Sequence, residues 1–307
     1  MTTTRGAIEL LEAREVPLGG ARGLTVHRTL PQRARSLVGA WCFADSYGPT
    51  PQASAMDLPA HPHTGLQTVS WLYAGELEHR DSTGARALIR PGQVNLMTAG
   101  AGIAHAETST GAAATLHGVQ LWLALPDAHR GVAPFFEHDE PEPFEIGAAT
   151  LRVFVGELAG RRAAVTTFSP LVGAQVDLPA GSTVRVPVDP AFEHGLLVES
   201  GAATLQGRAV APAELGVAVS GPTELTITAG AGPVRALLIG GVPLGEQIVM
   251  WWNFVGRSHD EIVAFRQQWQ AEVIDGGDPH GRFGTVDHPA APLPAPELPM
   301  VRLRPRG

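Results

Sequence analysis

Four side chains have the types and spacing to do chemistry together: His61 and His63 in "HPHTGLQTVSW", and His105 and Glu107 in "AGIAHAE". Imidazole and carboxylate are ligands for divalent transition ions. Alternate residues of a strand share a face, so a spacing of two sends each pair to one side. On that parity His61, His63, Gly65, Gln67, Val69 and Trp71 face one way, and Thr64, Leu66, Thr68 and Ser70 the other. A lone His-x-His is equally consistent with two ordinary histidines at the start of a strand. The second pair shifts the balance, because two such strands lining one barrel bring three imidazoles and a carboxylate together. That set suits one divalent transition metal, Fe(II) first, with Mn, Ni, Co, Cu or Zn as alternatives, and leaves positions open for water, dioxygen or substrate. Gln67 and Trp71 share the face of the ligands, the first expected to orient His63, the second to take a plain core role ahead of stacking on a flat substrate.

The elements that must position these residues read as strands. The 36 glycines and 26 prolines cut the chain into short runs rich in Val, Leu and Thr, such as "LQTVSWLYAG", "LHGVQLWLAL" and "VRALLIGG". An all-β sandwich or barrel follows. The Pro- and acid-rich stretch over residues 126–147 interrupts the pattern, so the chain divides near residue 140 into domains 1–140 and 141–307. One helix is predicted near residues 258–274, where Ser258 and Glu261 form a capping box and Ile262, Phe265, Trp269 and Val273 share a face. A proline-rich tail follows as an extended segment. The second half has no His-x-His pair and is expected to be a metal-free barrel that covers one side of the assembly.

Composition excludes other classes. A net charge of -8 and scattered arginines provide no basic field for nucleic acid. No stretch has the roughly 20 apolar residues of a membrane span, and the start lacks the apolar core of a secretory signal. A cytoplasmic location is expected, consistent with the single cysteine, Cys42, read as a core residue between Trp41 and Phe43. "GAGIAH" begins like a dinucleotide-binding loop, but His105 takes the place of the third glycine and no βαβ unit surrounds it.

The segments "HPHTGLQTVSWLYAGELEHRDSTG", "IRPGQVNLMTAGAGIAHAE", "GVQLWLALP" and "GVPLGEQIVMWWNFVGRSHDEI" together resemble the pirin family of bicupins. The resemblance implies two facing cupin-type β-barrel (jelly-roll) domains with one metal in the N-terminal barrel, held by His61, His63, His105 and Glu107. It also implies a quercetin 2,3-dioxygenase-like activity on a small aromatic substrate, a flavonol; Glu107, the one carboxylate of the set, is then expected to serve as catalytic base as well as ligand. A non-catalytic regulatory protein whose metal controls binding of a protein partner is the alternative. Pirins usually have arginine and glutamate where this chain has Thr64 and Gln67, which predicts a pocket of different charge. "MWWNFVGRS" is expected to serve packing, and His79, His117, His129, His138, His194, His259, His280 and His288 are expected on surfaces or loops. No sugar- or phosphate-binding motif supports a cupin isomerase.

Overall fold

The structure is a computed structural model that describes residues 7–17, 24–51 and 56–307. β-branched and aromatic residues alternating between Gly and Pro turns form strands throughout. In the first half these are β1 (Glu9–Glu12), β2 (Arg14–Pro17), β3 (Thr25–Leu30), β4 (Trp41–Pro51), β5 (Asp57–His63), β6 (Leu66–Ala74), β7 (Leu77–Asp81), β8 (Arg86–Ile89), β9 (Val94–Thr98), β10 (Ile103–Ser109), β11 (Thr115–Ala124) and β12 (Phe135–Asp139). They make a large sheet in the order β12-β9-β6-β11-β4-β3-β2 and a small one in the order β5-β10-β7-β8. The second half repeats the plan, with a large sheet that includes Leu171–Leu178 and Val234–Gly241 and a small one that includes Thr183–Pro187 and Glu224–Ala229. The fold is the expected all-β pair of cupin domains with a C-terminal helix.

The large sheets of the two halves pack against each other through aromatic side chains. The Trp41 indole N–H meets the carbonyls of Val172 and Gly240, each at 3.1 Å. Trp71 stacks on Phe154 with centroids 4.7 Å apart, and its N–H donates to Gln175 Oε1 at 2.8 Å. Such a pair adds about 0.5–1.5 kcal/mol beyond the area it buries. Both chain ends cross the division drawn at residue 140. β1 pairs with Glu214–Ala218 of the second half. Residues after 248 return to the first half, where Val255 N–H donates to Thr64 O at 3.0 Å and Leu293 N–H to Ala60 O at 2.8 Å.

The helix α1 spans His259–Trp269 and ends in a π turn over Gln270–Ile274. Ser258 Oγ caps Glu261 N–H at 3.2 Å, while the Glu261 carboxylate takes the N–H of Arg257, one residue earlier than a capping box requires. Its buried Ile262 and Trp269 pack with Phe254, Phe283 and Ala104, so the helix closes over the first half.

β5 and β6 are not one strand. Gly65 has φ +68°, and a Cβ there would lie 2.3 Å from Val255 O. This left-handed residue resets the alternation, so β5 and β6 present opposite parities to the barrel interior. The single face expected for His61 through Trp71 therefore breaks at Gly65.

Candidate metal centre

His61 and His63 close β5, and His105 lies opposite His61 on β10. Between His105 and Glu107 the register slips, with Glu107 opposite Leu58, so β5 carries one extra residue around Pro59. Proline cannot donate to the ladder and is tolerated at such a bulge. The bulge also frees the Pro59 carbonyl to accept from His61 Nδ1 at 2.9 Å. With that proton on Nδ1, the neutral ring keeps its lone pair on Nε2.

The three rings converge. His63 Nε2 and His105 Nε2 are 3.1 Å apart, and the His61 and His105 centroids 4.3 Å apart. Each of the three offers a nitrogen within 4.8 Å of the others, and a second grouping of the same kind joins His79, His105 and Glu107. All five residues are buried. Burial, and then the neighbouring imidazoles, push the protonation of His63 and His105 well below the ordinary range, and burial pushes His61 down to about 4. Neutral rings with inward lone pairs are what a divalent ion requires. Burial pushes the Glu107 carboxyl up, opposed by nearby His79 and by the hydroxyl of Ser70, which donates to Glu107 Oε1 at 3.0 Å. The donor set fits a single metal ion.

The cluster lies at the wall of a cavity of about 690 Å³. Phe43 and Trp122 stack at 4.0 Å and 12° on one side, and His63 meets the edge of Trp122 at 5.1 Å. Arg28 covers Phe43 at 4.4 Å while paired at both ends with Asp45 at 2.7 Å. Met250, Trp251, Trp252 and Asn253 line the same cavity. The segment expected only to pack thus also builds the pocket, with Phe254 and Val255 as its buried anchors.

Gln67 and Trp71 lie elsewhere. Gln67 donates to Thr98 Oγ1 at 2.9 Å and to Thr166 O at 3.1 Å, and Trp71 packs on the second half. Neither lines the cavity; Ser70, on the other parity of β6, reaches Glu107 instead. Trp71 takes the plain core role, and both the place of Gln67 beside the metal and the stacking of Trp71 on a substrate fail for one reason, the reset at Gly65.

His79, expected on a surface, is buried behind His105 with Asp81 at 3.0 Å. His194 is also buried, and His117 pairs with Glu199 across the two halves. A signal for His79 existed: "EHRD" repeats the spacing of two, which puts His79 and Asp81 on one face of β7. Burial raises the Asp81 carboxyl, but bonds from His79 and Thr83 outweigh it and hold the group below its usual range.

Family models match in chain order: pirin over residues 23–123 and the pirin C-terminal cupin domain over residues 173–275. The chain belongs to the pirin family. A Pseudomonas aeruginosa relative that carries the provisional name quercetin 2,3-dioxygenase is 42% identical over 95% of this chain and 91% of its own. A pirin-like protein of Caulobacter vibrioides is 33% identical over 89% of this chain and 97% of its own. The crystal structure of a quercetin 2,3-dioxygenase from Acinetobacter baumannii superposes with TM-score 0.89 at 38% identity, covering 97% of each chain. Among the described residues of this pirin, no helix is long and apolar enough to cross a membrane.

Proposed function

We propose that this pirin is a metal-dependent dioxygenase acting on a flavonol such as quercetin, with His61, His63, His105 and Glu107 as metal ligands and iron(II) as the first candidate ion. The observation that carries the reading is the buried histidine and glutamate cluster opening onto an aromatic-walled cavity. The names of the relatives point the same way. When bound, the metal supplies open positions and the one-electron chemistry needed to engage dioxygen.

The chain's own residues do the rest. The paired faces of Phe43 and Trp122, with Trp251 lining the same cavity, favour a flat aromatic body over a compact polar one. Glu107, as base, takes the proton of the flavonol 3-hydroxyl onto a carboxylate oxygen, and Ser70 steadies that oxygen by its hydrogen bond. Ser70 also meets Gln120 Oε1 at 2.9 Å, linking Glu107 to an amide that lines the cavity.

The test measures metal by elemental analysis and follows loss of quercetin absorbance together with oxygen uptake, over protein loaded in turn with Fe, Mn, Ni, Co and Cu. One metal per chain is expected, falling sharply in His61→Ala. Glu107→Gln keeps the size of the side chain but removes the base, so turnover should fall about 100-fold or more. Full metal retention in His61→Ala defeats the ligand assignment. Absence of quercetin turnover with every metal defeats the activity.

A further inference from the structure

Behind the metal cluster, β7 carries a buried carboxylate and a buried imidazole in series. Asp81 Oδ1 accepts the backbone N–H of Thr83 at 2.9 Å, the Thr83 hydroxyl at 2.6 Å and the backbone N–H of Ala85 at 3.2 Å. Asp81 Oδ2 lies 3.0 Å from His79 Nε2. His79 Nδ1 lies 3.4 Å from His105 Nδ1, and His105 Nε2 points to the metal side, 3.1 Å from His63 Nε2. The His79 ring stacks on Phe136 at 4.5 Å and 21°, which fixes its plane.

We propose that Asp81 and His79 are positioning residues whose hydrogen-bond order sets the tautomer of His105 and so aims a bare ring nitrogen at the metal. The inference rests on the metal-centre reading above. An ionised carboxylate only accepts, so the nitrogen facing it, His79 Nε2, carries a proton, and a neutral imidazole at that position, the form the test at pH 8 addresses, has a bare Nδ1. The contact to His105 then closes only if His105 donates from Nδ1, which leaves His105 Nε2 as the lone pair. The same order rules out His79, His105 and Glu107 as a separate ion site, since both nitrogens of His79 are engaged.

The direction of this relay is decided at the turn after β7. The N–H groups of Thr83 and Ala85 can only donate, so the Asp81 atom facing them must be an oxygen. In Asp81→Asn the amide therefore presents its oxygen to the turn and its NH2 to His79. His79 must then accept at Nε2 and donate from Nδ1. His105 must accept at Nδ1 and hold its proton on Nε2, where the metal belongs. His79→Gln has the opposite expectation, because its NH2 can donate to Asp81 while its oxygen accepts from His105.

The test reads tautomers in the metal-free protein at pH 8 by 15N NMR of labelled histidine, and affinity for nickel(II) alone by competition with a chelator. Wild type and His79→Gln should show His105 protonated on Nδ1. Asp81→Asn should show it protonated on Nε2, with nickel affinity about 10- to 100-fold weaker. If Asp81→Asn does not fold, His79→Leu serves: without the acceptor, His105 should lose its single tautomer and nickel should bind more weakly. A His105 protonated on Nε2 in wild type, or on Nδ1 in folded Asp81→Asn, overturns the relay. So does an unchanged single Nδ1–H tautomer in His79→Leu. Wild type with the expected tautomer but no nickel binding instead removes the metal reading and leaves the hydrogen-bond order standing.

Discussion

Replacing Gln67 by Glu distinguishes the two faces of β6. Gln67 is buried between the halves, and its Nε2 donates to Thr98 Oγ1 and to Thr166 O. A carbonyl cannot donate, so a carboxyl placed against Thr166 must keep its proton to make that bond. Its folded pKa is then raised above the unfolded value of about 4.3. The sign follows from linkage: stability is complete below the unfolded value and is lost as pH rises toward the folded value. With about 1.36 kcal/mol per pH unit up to the folded value, the deficit reaches at most about 1 kcal/mol at pH 5 and at most about 3.7 kcal/mol at pH 7. An unfolding entropy of about 2.1 cal/mol/K per residue over 307 residues turns a difference of at most about 2.7 kcal/mol into at most about 4 °C of extra Tm loss. Thermal melts of both proteins at the two pH values measure it, and metal content and the pH profile of turnover should stay as in wild type. An equal Tm deficit at pH 5 and pH 7 refutes the reasoning. So does a variant of wild-type stability whose pH–rate profile has moved, since that would return position 67 to the chemistry.

Two other outcomes follow from single contacts. Gly65→Ala forces a side chain into the left-handed region, about 1–2 kcal/mol of strain, and sets its Cβ against Val255 O; a lower Tm together with reduced metal content is expected, and wild-type values of both would contradict the hinge. Burial pushes the Cys42 thiol up to about 12, so a thiol reagent at pH 8 should label the native protein no faster than it unfolds; prompt labelling without loss of structure would show that the site opens.

What could be read from the sequence was local, and what could not was carried by single residues that change register. Alternation and turn residues disclosed the strands, and the spacing of two marked His61 with His63 and His105 with Glu107, because that rule holds wherever a strand stays regular. It fails at the two irregular points of this site. At Gly65 a positive φ reverses the parity, sending Gln67 and Trp71 to the other half and Ser70 to Glu107. At Pro59 one extra residue shifts Glu107 relative to β5, so Glu107 groups with His105 and His79 while His61 and His63 form their own triad with His105. A glycine in a strand-like run does announce a possible break, and "HTGLQ" contained that warning, but its direction depends on Val255, which arrives 190 residues later in the chain. The pocket has the same origin: Trp251 and Trp252 reach it only because the segment after residue 248 folds back on β5. Nonlocal packing of this kind leaves no period in the sequence. It decides which side of each strand meets the histidine cluster, and therefore which of two equally spaced residue sets can take part in the proposed chemistry.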